Sequence, residues 1–275
     1  MRTLEQILQE GIDKLQAAEI TDASIDAWYL FEYSFGMNRA TYYLNKTKEA
    51  ESKDYIKFRQ CINRRLERVP VSQITQERDF YGYRFFVNEH VLAPRQETEE
   101  LVEHVLKSCS GKRVLDLCTG SGCIILTLAL EGNLKEAVGI DISKEALLVA
   151  EANKKRLKAK VTFYESDLYE AVEGKYDIIV SNPPYIPTED IKELMPEVRL
   201  HEPMLALDGK DDGLWFYRRI IAGAKEYITD HGELFFEIGY NQGRAVSDLL
   251  SAAGFTNVTV YKDLSGHDRI VYARA

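Results

Sequence analysis

From Gly111 to the end of the chain, short runs of β-branched and aliphatic residues alternate with longer stretches of helical periodicity, and few folds accept that pattern. Parallel strands are joined only by long crossovers, so a repeating strand and helix order demands a mostly parallel sheet with helices on its faces. The pattern places strands at Arg113–Cys118, Ala137–Ile142, Val161–Glu165, Tyr176–Ser181 and Glu233–Ile238. Helices fall between them, notably Lys144–Leu157 and Gly243–Ala253. Val258–Lys262 and Arg269–Ala273 read as a closing antiparallel pair.

The region before Gly111 reads differently. From Leu4 to about Arg68 apolar residues recur at helical intervals (Leu4, Ile7, Leu8, Ile12, Leu15; Ile25, Trp28, Leu30, Phe31; Tyr55, Phe58, Ile62, Leu66), which predicts a small helical bundle. Asp22-Ala23-Ser24 predicts a helix N-cap, and Pro70 ends the last helix. Aromatic residues and turn formers between Asp79 and Val91 predict a short hairpin, after which Leu92-Ala93-Pro94-Arg95 leads into a helix near Glu97. The expected organisation is a helical domain over 1–75, a hairpin linker over 76–95 and an α/β domain over 96–275.

Composition narrows the function. A net charge of -9 and a pI near 5.2 argue against binding that rests on phosphate neutralisation, so direct nucleic-acid contact is not expected. The four cysteines, Cys61, Cys109, Cys118 and Cys123, form neither a metal-like pair of pairs nor a disulfide framework; no metal is expected. The N-terminal residues carry acidic side chains in a helical pattern rather than a leader's apolar run, and no stretch is long enough to span a bilayer. A reducing cytoplasm without membrane association is the expected setting.

Cys118-Thr119-Gly120-Ser121-Gly122 follows a buried strand and opens a helix, the place where glycines let backbone approach a ligand. About twenty residues on, the next strand reaches Asp141, a carboxylate suited to accept from both hydroxyls of a ribose. A dinucleotide fingerprint would have a third glycine three positions after Gly122, where this chain has Ile125. That disfavours NAD, and with it a dehydrogenase, and leaves S-adenosylmethionine, which has no phosphates. Asp167 reads equally well as a contact for the exocyclic amine of adenine, with Leu168 beside the ring, or as a turn or helix cap. Asp116 reads as an anchor for the turn or as a buried structural group.

The strand Tyr176–Ser181 stops at Asn182-Pro183-Pro184-Tyr185. Two successive prolines remove two N–H donors, so the carbonyls around them lack sheet partners and face a substrate donor instead. An amide or amine NH₂ presents two in-plane hydrogens, which the Asn182 side-chain oxygen and the Pro183 carbonyl are placed to accept, with Tyr185 packed on the flat face. Such pairing holds the nitrogen toward a methyl donor. A non-catalytic module would have no use for Asn182 and both prolines together.

These motifs resemble the HemK/PrmC family of peptide chain release factor N(5)-glutamine methyltransferases over nearly the whole chain. The likeness includes Pro70–Ile74, Leu92–Glu99, the glycine turn, Asn182 to Tyr185, Glu202–Leu207 with Gly209, Gly213 and Leu214, and Glu237-Ile238-Gly239 with Gln242-Gly243. The resemblance implies an α/β, Rossmann-like class I methyltransferase sheet with a small N-terminal helical-bundle domain joined by a β-hairpin linker. It also implies transfer of methyl from S-adenosylmethionine, leaving S-adenosylhomocysteine, to the glutamine of the Gly-Gly-Gln loop of class 1 release factors. Cys118, Thr119, Gly120, Ser121, Gly122, Asp141, Asp167, Leu168 and Asn182 would bind the cofactor; Asn182, Pro183, Pro184 and Tyr185 would hold the glutamine. Cys118 departs from the family's usual glycine, and Leu168 from a common aromatic.

The helical domain would then recognise the protein substrate. Arg64, Arg65 and Arg68, with Arg64 and Arg68 on one helical face, form a basic cluster for an acidic partner patch or simply a solvated helix end. Glu97, Thr98 and Glu99 read as a helix cap near the active-site mouth. The alternative acceptors are a ribosomal-protein glutamine and the exocyclic amine of adenine in nucleic acid, which the same four-residue motif suits.

Overall fold

The computed structural model describes residues 2–275. By their internal contacts these divide into two compact units, residues 2–76 with Met195–His201, and Glu77–Leu194 with Glu202–Ala275.

The first unit is helical: α1 (Leu4–Ala17), α2 (Ala23–Phe35), α3 (Arg39–Asn45), α4 (Ser52–Leu66) and α5 (Val71–Thr75). Its core gathers the residues picked out by periodicity, including Leu4, Ile7, Leu15, Trp28, Phe31, Phe58 and Ile62. Gly11 lets α1 meet α4 closely, since a Cβ there would lie 2.6 Å from the Phe58 ring. Helix α2 begins after Asp22 as expected, but the Asp22 side chain makes no capping bond. Helix α4 stops at Leu66, before Pro70, which instead precedes α5.

Nothing in the first 75 residues announces that Met195–His201 belongs to this unit. The reason is charge. Arg65 is buried, donating from Nε to Asp26 at 2.7 Å and from Nη1 to Glu197 at 2.9 Å, while Arg68 reaches Glu197 at 3.3 Å and the Ala18 carbonyl at 2.8 Å. Arg65 is therefore no solvated helix end; it is the centre of an internal ion network. Burial pushes the Asp26 carboxyl up against the pull of Arg65. For Glu197 burial also acts upward, but its own backbone N–H, Arg65 and Arg68 outweigh it and hold the carboxyl below its usual range.

The second unit opens with a hairpin, β1 (Glu77–Phe80) and β2 (Tyr83–Phe86), turned by Tyr81 and Gly82, both at positive φ. That pair of torsions matches the right-handed twist of the strands. The sheet follows: β3 (Arg113–Leu117), β4 (Glu136–Asp141), β5 (Thr162–Glu165), β6 (Tyr176–Ser181), β7 (Ile228–Glu237), β8 (Thr256–Lys262) and β9 (Asp268–Arg274). Its order is β5-β4-β3-β6-β7-β9-β8, parallel except for β9, which runs antiparallel to both β7 and β8. Strand β7 starts five residues before the expected Glu233. It pairs first through Ile228 with Tyr176, then bulges before Glu233, with His231 at φ +64.

Alternate residues face opposite ways along a strand. Val114, Ile178, Val180 and Phe235 pack with α6 (Gln96–Leu106) and α7 (Cys123–Glu131). Leu115, Ile179, Leu234 and Phe236 pack with α11 (Trp215–Tyr227) and α12 (Gly243–Ala252). In chain order α8 (Lys144–Leu157) and the short α10 (Met204–Leu207) come between α7 and α11, and the short α9 (Pro196–His201) is part of the segment that belongs to the first unit. The strand order turns back on itself at β3, and the carboxyl ends of β3 to β7 open there, where doubly wound sheets bind ligands. No helix among the described residues is long and apolar enough to cross a membrane.

Candidate active site

A cavity of about 460 Å³ sits over those strand ends, wholly within the second unit. Its wall holds Cys118, Thr119, Gly120 and Ser121 after β3, Asp141 at the end of β4, Asp167 and Leu168 after β5, and Asn182 and Pro184 after β6. Gly122, Pro183 and Tyr185, also expected at the site, do not line it.

The turn after β3 takes three left-handed torsions, Cys118 at φ +61, Gly120 at +53 and Gly122 at +78. The two glycines serve different ends. A Cβ on Gly120 would meet nothing within 4 Å and would protrude into open space, whereas one on Gly122 would lie 2.9 Å from Leu126 and 3.2 Å from Phe163. The first keeps the backbone bare and the second lets α7 close on the sheet. Asn153 of α8 is fully buried and donates to the carbonyls of Ser121 and Phe86, both at 3.0 Å, fastening the turn to the hairpin.

The Asp141 carboxylate accepts from Gly120 N at 2.8 Å and Ser143 N at 2.9 Å. Burial raises its pKa against the pull of these backbone donors, and the residue lines the cavity. Asp116 is fully buried and accepts from the Thr119 hydroxyl at 2.6 Å; burial pushes it to about 7. It is an anchor of the turn and not a cavity group. The Cys118 thiol is raised well above its ordinary range, first by burial and then by Asp141 and Asp116, so it stays a neutral thiol.

Asp167 neither caps a helix nor stands free: both carboxylate oxygens accept from Arg219, at 2.8 and 3.0 Å. The Arg219 guanidinium lies 4.6 Å from the Trp215 ring, and Trp215, Arg219 and Ile142 all line the cavity. Ile142 and Trp215 are exposed apolar side chains on that wall. Sequence reading missed both. The available signal was Trp215 and Arg219 one turn apart on α11.

Asn182 to Tyr185 are held from several distant segments. The Gln242 amide donates to the Tyr185 carbonyl at 2.9 Å and the Gly213 carbonyl at 3.2 Å, and accepts from Gly239 N at 2.9 Å. Gly209 and Gly213 leave room for the same backbone: a Cβ on Gly209 would lie 2.8 Å from Tyr185 Cα, and one on Gly213 2.3 Å from the Tyr185 oxygen. The Tyr185 ring packs against the core beside Gly239. Arg95 on the cavity wall donates to both oxygens of Glu202 at 2.8 and 2.7 Å, which ties Pro203, Leu205 and Ala206 to the rim. Glu97, Thr98 and Glu99 do not cap α6; Thr98 donates to Glu237 at 2.6 Å, and Glu99 accepts from Tyr81 N at 2.8 Å.

Known proteins bear out this architecture. Residues 6–75 match the model of the PrmC N-terminal domain, and residues 96–198 that of the Methyltransferase small domain. A solved methyltransferase from Pyrococcus furiosus shares the fold at a TM-score of 0.55 with 15% identity, over 78% of this chain and 97% of its own. The release factor glutamine methyltransferase of Geobacter sulfurreducens is 36% identical, covering 99% of this chain and 96% of the relative. That of Bacillus subtilis is 43% identical, over 89% and 88% respectively. With likeness of this degree along both units, the chain belongs to the release factor glutamine methyltransferase family, enzymes with a class I methyltransferase fold.

Proposed function

We propose that this enzyme uses S-adenosylmethionine to methylate the side-chain amide nitrogen of the glutamine in the Gly-Gly-Gln loop of class 1 release factors. The observation that carries the reading is Asn182 on the wall of the same cavity as Asp141 and the bare Gly120 backbone. A volume near 460 Å³ falls within the roughly 300–1,000 Å³ of small-molecule sites. The chain's groups suit the nucleoside. Asp141 offers lone pairs to the ribose hydroxyls, Ile142, Leu168 and Trp215 offer apolar surface to the adenine, and Asp167 borders the exocyclic amine with its charge already countered by Arg219.

When bound, the cofactor supplies a methyl group on a positive sulfur that leaves readily. The protein's task is orientation. Asn182 Oδ1 and the backbone carbonyl of Pro183, which lies between the wall residues Asn182 and Pro184, accept the two hydrogens of the glutamine NH₂, fixing its plane and pointing the nitrogen lone pair at the methyl; as the N–C bond forms and the S–C bond breaks, the nitrogen gives up one of those protons to solvent. Gln242, Gly209 and Gly213 keep the backbone that presents these acceptors from shifting. The helical unit, residues 1–75 as read from the sequence, would recognise the protein substrate.

The test is incubation with S-adenosylmethionine and a recombinant class 1 release factor, followed by tandem mass spectrometry of the Gly-Gly-Gln peptide. A single methyl on that glutamine is expected, reduced by about 10²- to 10³-fold in Asn182→Ala, the range for loss of a positioned transition-state partner. An unmodified peptide with cofactor bound overturns the acceptor assignment and points to ribosomal-protein glutamine or adenine.

A further inference from the structure

An asparagine amide has two ends of nearly the same shape, one an acceptor and the other a donor. Only one orientation of Asn182 serves a substrate NH₂, so something must choose it. Two motifs that the catalytic reading leaves without a task, Thr98 on α6 and Glu237 at the end of β7, meet where β6 and β7 run side by side to Asn182. Both are buried to 2% exposure. Thr98 donates its hydroxyl to Glu237 Oε2 at 2.6 Å, and the β6–β7 register, with Ser181 opposite Phe236, sets Asn182 beside Glu237, whose carboxyl it draws downward. An ionised carboxylate accepts only.

We propose that Glu237 is a positioning residue: held by Thr98, its carboxylate takes the Asn182 NH₂ and thereby turns Asn182 Oδ1 toward the acceptor nitrogen. The proposal rests on the role given to Asn182 above. The surroundings are consistent with a carboxylate kept for such a purpose, because burial pushes Glu237 to about 7 while Thr98, Arg269 and Asn182 pull it down and Glu97 pushes it up. Tyr185, Tyr217 and Cys123 complete the titratable groups around it, and burial raises all three above the neutral range. The Tyr217 hydroxyl donates to the Glu237 backbone carbonyl at 2.8 Å, fixing the strand end. Protonation gives the carboxyl a donor of its own and removes the bias on Asn182, so turnover falls as pH drops through about 7.

Glu237→Gln, the same shape without the charge, presents one donor and one acceptor and tolerates either orientation of Asn182. Its kcat should fall about tenfold, the equivalent of one hydrogen bond's net worth, with affinity for S-adenosylmethionine unchanged and the acid limb of the kcat profile gone. Thr98→Val should instead move that limb to higher pH while keeping activity on the alkaline side. A purely structural role for the pair would lower stability and activity at every pH alike. Independently of any acceptor, the Asn182 side-chain NH₂ signals in ¹⁵N spectra, assigned by their loss in Asn182→Ala, should titrate near pH 7 in the wild type and stay still in Glu237→Gln. Static wild-type signals, or a Glu237→Gln enzyme with an unaltered profile, overturn the proposal. A wild type that transfers no methyl to the release factor while its Asn182 signals titrate overturns only the acceptor assignment.

Discussion

At the glycine turn, the groups that shape the cavity find partners close by in the chain or on the adjoining strand. Thr119 rests on Asp116, Gly120 on Asp141, and Asp141 also on Ser143. At Asn182 to Tyr185 the supports arrive from α6, from the ends of β7, from the loop at Gly209 to Gly213 and from the residue before α12. The glycine turn thus leans mainly on nearby residues, with Asn153 of α8 as its tie from further off, while the acceptor end is an assembly whose accuracy depends on several remote residues. Substitutions far from Asn182 should therefore damage turnover, and substitutions at the turn should chiefly change cofactor affinity.

The sharpest way to break this contrast is Gly213→Ala. Its Cβ would lie 2.3 Å from the Tyr185 oxygen and 2.7 Å from Gln242 Nε2, and Gly213 sits at φ +72. The Tyr185 oxygen cannot yield without moving the backbone that follows Asn182, and Gln242 can yield only by giving up its bonds to Tyr185 and Gly213. Misplacement of reacting groups by an ångström costs about 10²-fold, so kcat at saturating cofactor should fall by that order with the dissociation constant of S-adenosylmethionine held within about threefold. Parallel loss of both in kinetics and calorimetry would mean the two ends are one rigid body.

Asp141→Ala probes the other end. Charge-assisted hydrogen bonds contribute about 1.5–3 kcal/mol, so the cofactor should bind about 10- to 100-fold more weakly, with kcat at saturation little changed. Gln242 offers a finer distinction. Gln242→Ala leaves the Gly239 N–H and two carbonyls without their partner, for about tenfold in kcat. Gln242→Glu should be worse, since a carboxylate would face the carbonyls of Tyr185 and Gly213; a milder effect would remove those two bonds from the account.

The same contrast explains what could be read from the sequence. The sheet, the helical unit, the glycine turn and Asp141 were legible because each is written in consecutive residues by periodicity or by a local turn. Gly209, Gly213, Glu237 and Gln242 stood out only through resemblance, as scattered letters. Their meaning lies in contacts that β7 and α12 bring to Tyr185 and Asn182. Arg65 misled for the same reason, because its partner Glu197 is far along the chain. Trp215 and Arg219 were missed since helical spacing reports which residues share a face, and here that face meets a cavity rather than the core.

The smallest expected effect is the most informative about Cβ atoms at positive φ. Cys118 has φ +61, close to the +72 of Gly213, so the conformational demand on the two backbones is similar. The left-handed torsion costs a non-glycine residue about 1–2 kcal/mol. Cys118→Gly removes that strain but restores about 0.5–1 kcal/mol of unfolded-state freedom and gives up the packing of the thiol against the core, so the net change in stability should lie within about 1 kcal/mol of zero. Affinity for S-adenosylmethionine should stay within about threefold, because the substitution leaves in place Asp141 and the bare Gly120 backbone, the groups proposed to hold the cofactor. One Cβ is exchanged in each case, removed at 118 and added at 213. The difference in outcome would then come from what that carbon meets, a core that already accommodates it at one end and the Tyr185 carbonyl at the other. A tenfold loss of cofactor affinity in Cys118→Gly, measured by titration calorimetry, would instead place the cysteine side chain itself among the cofactor's contacts.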